Sequence, residues 1–207
     1  MRLLVARHAH ATTGPAHRVG PEDPLTQIGR RQATELARHL AGLDERPMHI
    51  VSSAAVRAQQ TAGACASELG LGVAVDDRLC DRGGSGGRLP YTLQEQGEKL
   101  PLDDVWHPED VTWDGETCAA FWGRTSDAVK KIVEHEHTSL IVCHLGTVTA
   151  LARWAFGIAN DAPDAFSIAA PNASLMEINL RMDRNGRRRV RMLRSGDTHY
   201  LSVRTEG

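Results

Sequence analysis

Apolar residues along the chain fall into short unbroken runs that alternate with longer stretches of helical spacing. Leu3, Leu4 and Val5 form one such run and predict a buried strand ending where Arg7 and His8 begin. Residues 9–24, rich in Gly, Pro, Thr and His, predict a loop. Thr26 is placed to cap a helix to about residue 40, with Ala33, Leu36, Ala37 and Leu40 on one face, before Gly42 and Pro47 end it. Residues 49–51 predict a second strand, followed at once by Ser52 and Ser53. A helix over about 55–69 then faces Ala58, Ala62, Cys65 and Leu69 inward, and residues 73–75 predict a third strand. The segment 82–115 is less regular. Its glycine-rich start at 83–87 and its three prolines (Pro90, Pro101, Pro108) predict an insertion or lid with one short helix near 93–100. Thr117 opens a helix to about 134, residues 140–143 are a further buried strand, and a helix follows over 147–156. Residues 175–180 and 189–193, about a turn at Asn185 and Gly186, predict a hairpin.

Strands alternating with helices imply an α/β fold whose largely parallel sheet is covered on both faces. Ligands in such folds bind beyond the carboxyl ends of the strands. Arg7 and His8 follow the first predicted strand, Arg57 lies one helical turn past the second, and His144 follows the fourth. Segments far apart in the chain thus bring two histidines and two arginines to one edge.

Composition changes this picture little. The chain has 207 residues, 41% hydrophobic and 24% charged, which suits a single globular domain over 1–207 with the insertion at about 82–115. A formal net charge of -2 does not point to nucleic acid. No run reaches the roughly 20 apolar residues of a spanning helix, and the N-terminal apolar run is too short for a signal-peptide core. A cytoplasmic protein with no membrane or nucleic-acid partner is the expectation. The four cysteines show no metal-like spacing and are expected to be buried free thiols. One bias bears on chemistry: 21 of the 24 basic residues are arginines, the side chain suited to forked contact with phosphate or carboxylate. Most of these fit a general bias. Seven of them, between Arg181 and Arg194, are better read as a charged hairpin that resists edge pairing than as a polyanion patch, since no aromatic residues interleave them.

Arginines converging with helix N-termini make a site for a phosphoryl group. A neutral imidazole beside it can attack phosphorus, and a carboxylic acid must protonate the leaving oxygen. Asp81, just past the third strand, is placed for that, with Asp76 and Asp77 as nearby, more solvated competitors.

Several motifs run in order along the chain. Leu4-Val5-Ala6-Arg7-His8 is similar to an L-V-x-R-H-G opening, and Pro24-Leu25-Thr26 with Gly29 and Gln32-Ala33 to P-L-T-x-x-G-x-x-Q-A. Ser52-Ser53, Arg57-Ala58 and Gln60-Thr61-Ala62 resemble S-S-x-x-x-R-A-x-Q-T-A. Leu79 with Asp81 resembles L-x-E, and Gly115-Glu116-Thr117 with Arg124 resembles G-E-S/T with its downstream arginine. Val142 to Gly146 resembles V-S-H-G-G, and Asn172-Ala173-Ser174 a late N-A-S. This ordered set resembles the histidine phosphatase superfamily, the phosphoglycerate-mutase-like enzymes, and the resemblance implies a three-layer α/β/α sandwich with a mostly parallel sheet. It also implies a phosphomonoester hydrolase acting on a small phosphorylated metabolite without a cofactor or metal. His8 would be the nucleophile that becomes phosphorylated and Asp81 the general acid and base. Arg7, Arg57 and His144 would hold the phosphoryl oxygens, with Thr13 and Gly14 also at the substrate.

This chain departs from the pattern at Ala9, His10, Gly14, Leu145 and Asp81, the last a methylene shorter than glutamate. Arg82, Arg88, Lys99, Trp106, His107 and Trp113 are candidates for the substrate side. Three other activities are weighed against hydrolysis. Mutase-type phosphoryl transfer is disfavoured by the short segment after Asp81. A metal-dependent hydrolase using His8, His10 and His144 is disfavoured by the adjacent arginines. The third is a phosphate-binding module without turnover. A homodimer through the hairpin edge is possible on this pattern.

Overall fold

The computed structural model describes residues 1–12, 22–82, 106–111, 115–164, 166–185 and 188–204. Among these residues, six strands and four α-helices largely alternate in chain order. Strand β1 (Arg2–Arg7) extends the apolar run at both ends because strands on each side complete its hydrogen bonds. Helix α1 (Gln27–Ala41) starts where Thr26 Oγ1 accepts from the Gly29 amide at 3.0 Å. Strand β2 (His49–Ser52) leads into α2 (Val56–Leu69), which stops at Gly70 in the left-handed conformation, φ 69°. Strand β3 keeps just Ala74–Val75 of the predicted three residues and is followed by a 3-10 turn, Asp77–Leu79. Helix α3 (Cys118–Val133) is capped by Thr117, and β4 (Ser139–Cys143) is buried throughout.

Helix α4 (Leu145–Phe156) begins two residues before the predicted start. Gly146 reads as a loop residue, yet in a first helical turn the amides need no intrahelical partner and glycine costs little. Strands β5 (Leu175–Met182) and β6 (Arg188–Asp197) form the expected hairpin, both longer than the pattern suggested. The short helix expected near 93–100 lies outside the described residues.

The strand order is β3-β2-β4-β1-β5-β6, with three parallel pairings on the β3 side of β1 and two antiparallel pairings beyond it. Alternate residues of each strand feed two cores. Leu4, Ala6, Ile50, Leu140 and Val142 pack on α1 and α2. Leu3, Val5, Val51, Ile141 and Met176 pack on the opposite face against α3 and α4. This is the three-layer α/β/α sandwich expected from the sequence, with a mixed sheet. All four cysteines are buried and free. Among the described residues, no helix is long and apolar enough to cross a membrane. In the hairpin, Arg181 faces Arg189 across the strands, while Arg194 pairs with the buried Glu177 and with Asp197.

One buried ion pair lies apart from the sheet edge. Arg153 of α4, 1% exposed, meets Asp164 at 3.1 Å, donates to the carbonyls of Ala159, Ala162 and Pro163, and lies 3.8 Å over the Trp122 ring. Removing the guanidinium would strand a buried carboxylate and three carbonyls. Arg153→Ala is therefore expected to cost about 3–5 kcal/mol, measured by denaturant unfolding.

Candidate active site

Three adjacent parallel strands, β2, β4 and β1, end side by side. The His8 amide donates to Cys143 O at 2.8 Å and the Ser53 amide to Val142 O at 3.0 Å, so pairing continues just past the strands. Arg7 and His8, Ser53 and His144 therefore leave the sheet together, and the first turn of α2 sets Arg57 over them. Arg57 and His144 are 3% and 1% exposed and His8 6%.

Arg57 joins the two rings. Its Nε donates to His8 Nε2 at 3.2 Å and its Nη2 to His144 Nδ1, also at 3.2 Å. A guanidinium only donates, so both ring nitrogens accept. His8 then carries its proton on Nδ1, which donates to Ala9 O at 2.8 Å. His144 carries its proton on Nε2, which donates to Ser53 Oγ at 2.6 Å. Both rings are held well below the ordinary imidazole range, first by burial. For His8 the further causes are His144, Arg7 and Arg57; for His144 they are Arg57, Arg7 and Arg124. Arg7 reaches from the end of β1 to Ala170 O at 2.8 Å.

Asp81 approaches from the far side of β2. Its Oδ1 accepts from the Arg82 amide at 3.1 Å and lies so close to Gly146 that a Cβ there would be 2.5 Å away. Burial raises its pKa, while Arg57, Arg7 and Arg82 pull it partly back. Asp76 is less solvated than its sequence context suggested: it caps the 3-10 turn and pairs with Arg78 at 2.7 Å. Asp77 is exposed.

The turn behind His8 is fixed by polar residues of the same motifs. Thr61 Oγ1 accepts from the Ala9 amide at 3.0 Å and donates to Arg57 O at 2.7 Å, linking the turn at His8 to α2. Gln32 Oε1 accepts from the His10 amide at 2.9 Å while its Nε2 donates to Val203 O at 3.2 Å. Asn172 Nδ2 and the Ala173 amide both donate to His8 O at 3.2 Å. Ala173 holds φ 55°, and its carbonyl accepts from the Tyr200 hydroxyl. A Cβ on Gly29 would overlap the His10 carbonyl, so only glycine lets α1 approach this turn.

Of the residues expected at the site, Arg7, His8, Arg57, Asp81 and His144 gather at the sheet edge. Thr13 and Gly14 lie outside the described residues, as do Arg88, Lys99 and Trp113. Arg82 sits 3.7 Å over the Trp106 ring and donates to Cys118 Sγ at 2.6 Å, and His107 is exposed. His10 turns away to Thr26 Oγ1 at 2.8 Å. Among the described residues no group of three or more His, Cys, Asp and Glu side chains is arranged to hold a metal ion. Ser53, whose hydroxyl holds His144, belongs to the Ser-Ser motif, but its contact could not be read from spacing.

The chain matches the sequence profile of the histidine phosphatase superfamily (branch 1) over residues 3–193, and it belongs to that family. It is a phosphatase of the histidine type. Several solved structures share its fold. A mycobacterial glucosyl-3-phosphoglycerate phosphatase, solved in complex with VO3, is 25% identical with a TM-score of 0.66, covering 93% of this chain and 97% of its own. A structure described as mycobacterial hydrolase 2 is also 25% identical, with a TM-score of 0.67 and coverage of 93% and 88%. A phosphoserine phosphatase from Entamoeba histolytica, in complex with 3-phosphoglyceric acid, is 17% identical with a TM-score of 0.64 and coverage of 97% and 98%. No curated protein sequence matches the chain.

The buried neutral rings make stability depend on pH. His8, His10, His39, His49 and His144 all have folded pKa values below the unfolded 6.5, mainly through burial. Below 6.5 the unfolded chain binds protons that the folded chain refuses, so stability falls on acidification. Asp81 has the opposite sign: its raised pKa favours the fold as pH falls through that value toward 3.8. Urea unfolding at pH 7.5, 6 and 5 is expected to show falling stability, with a smaller slope in a His8→Asn, His144→Gln double variant.

Proposed function

We propose that the protein hydrolyses phosphomonoesters of small metabolites through a phosphohistidine at His8. The single observation carrying this reading is the Arg57 fork. It leaves His8 neutral, with Nδ1 tied to Ala9 O and the Nε2 lone pair turned to the site where arginine donors converge. Attack by Nε2 forms the N–P bond as the ester P–O bond breaks. The departing oxygen takes the proton of Asp81. Arg7 and Arg57 are the donors available to the equatorial oxygens, Arg57 exchanging its ring acceptors for phosphoryl oxygens, and His144 joins them by turning its Nε2–H from Ser53 Oγ to the phosphoryl group. Water then attacks phosphorus, gives its proton to the Asp81 carboxylate, and the N–P bond breaks to release orthophosphate.

Hydrolysis is favoured over transfer to a second substrate by the shortness of the segment after Asp81 and by the similarity to phosphatases of small phosphorylated metabolites. The protein should hydrolyse p-nitrophenyl phosphate, and His8→Ala should not. A phosphoryl group on His8, stable to alkali and labile to acid, should be trapped by rapid quench and seen by mass spectrometry. Arg57→Ala is expected to lower kcat by about 10²–10³-fold, as for loss of one transition-state donor. A variant with unchanged kinetics would remove Arg57 from the reaction.

The protonation states also set the pH profile. His8 must be neutral and Asp81 protonated for the first step. The depressed His8 pKa and the raised Asp81 pKa bring the two required states closer together in pH, and kcat/KM should fall on the alkaline side as Asp81 ionises. Asp81→Asn should flatten that alkaline limb, checked by kcat/KM against pH.

A further inference from the structure

The segment that carries Asp81 has an unusual support. Past the two residues of β3 it belongs to no strand, and the 3-10 turn closes through Asp76 O and Asp77 O, which accept from Leu79 and Cys80. The next four carbonyls are satisfied by two side chains. Arg124 Nη1 donates to Arg78 O at 2.8 Å and to Cys80 O at 2.7 Å, and Nη2 donates to Asp81 O at 3.0 Å. Thr147 Oγ1 donates to Leu79 O at 3.3 Å. The other edge of the Arg124 guanidinium meets Glu116 in a two-pronged pair, 2.5 Å from Nε to Oε1 and 2.8 Å from Nη2 to Oε2. Its plane also lies 4.9 Å from the Phe121 ring.

We infer that Arg124, oriented by Glu116, is a positioning residue that sets where the Asp81 carboxyl stands. This rests on the reading of Asp81 as the general acid. Arg124 spends its donors on backbone and on Glu116, so it acts through Asp81. Three carbonyls on one rigid fork fix the direction of the chain at residues 78–81 as well as its depth. The carboxyl then has little freedom: Oδ1 is pinned by the Arg82 amide and backed by Gly146. A lysine has no fork and could not hold three carbonyls and a carboxylate in one plane. Proton transfer is sensitive to such placement, since a shift of about 1 Å can cost on the order of 10²-fold in rate. Attack by His8 does not draw on this segment, so loosening it should harm proton delivery and spare nucleophilic attack.

The test compares two esters: p-nitrophenyl phosphate, whose leaving group departs readily as the anion, and phenyl phosphate, whose leaving group needs the proton. Wild type, Asp81→Asn, Arg124→Gln and Glu116→Gln are assayed on both, with thermal unfolding measured alongside. Arg124→Gln should lose about tenfold to a hundredfold more kcat/KM on phenyl phosphate than on p-nitrophenyl phosphate. Glu116→Gln should show the same selectivity to a smaller degree. The alkaline limb for phenyl phosphate should also move to lower pH in Arg124→Gln, as the displaced carboxyl regains water. Equal losses on both esters in Arg124→Gln and Glu116→Gln, beside a selective loss in Asp81→Asn, would overturn the positioning role and leave Asp81 as the acid. Absence of selectivity in Asp81→Asn itself would overturn the acid assignment and with it this inference. If Arg124→Gln fails to fold, Glu116→Gln, which keeps the guanidinium and its carbonyl contacts, decides by the same criterion.

Discussion

The site depends on a permanent cation buried in contact with two bases. Arg57 cannot shed its proton, and at 3% exposure it has little water to share its charge. Any acceptor that faces it must offer a lone pair. His8 and His144 do so, and each sends its one ring proton the other way, to Ala9 O and to Ser53 Oγ. One constraint thus selects both tautomers, keeps both rings uncharged and leaves excess positive charge where a phosphoryl dianion can neutralise it. An anion entering such a pocket exchanges contacts with imidazoles for contacts with oxygens. The donors are already aimed, so little reorganisation is needed as charge develops.

The fold serves this constraint at two levels. Parallel pairing of β2, β4 and β1 puts three strand ends in one row, which brings Arg7, His8, Ser53 and His144 together. A ring of polar side chains then fixes the backbone between strand and helix. Thr61, Gln32 and Asn172 each hold the turn at His8 by hydrogen bonds to backbone groups. Asp81 is held differently, on a segment without a sheet partner of its own. His8 and Asp81 therefore rest on separate supports, one continuous with the sheet and one hung from α3 and α4.

Much of this was legible in the sequence, for identifiable reasons. Unbroken apolar runs such as residues 140–143 and capped amphipathic stretches such as that after Thr26 declare their structure locally. The strand-end rule then predicts that Arg7, His8, Arg57 and His144 converge, whatever the side chains do afterwards. The start of α4 was misplaced because Gly146 looks like a loop residue, whereas its lack of a side chain makes room for Asp81. The role of Ser53 and the clamp of Arg124 on residues 78–81 were not legible. Both depend on contacts between elements distant in sequence, and periodicity along one element carries no information about them. The cap formed by Asp76 and its pairing with Arg78 are equally illegible, because both arise only once the turn has formed.

The wiring of the turn at His8 has a consequence for synthesis on the ribosome. His8 is made well before the groups that position its turn, which include Asn172 and Ala173, Tyr200 and the Val203 carbonyl. Strand β1 itself lies between β4 and β5, both of which follow α1, β2, α2 and α3 in the chain. A nascent chain can form α1 and α2 early, but the turn at His8 stays unset until the distant segments that hold it have been made. A site built this way assembles together with the fold, and partial products of translation lack it.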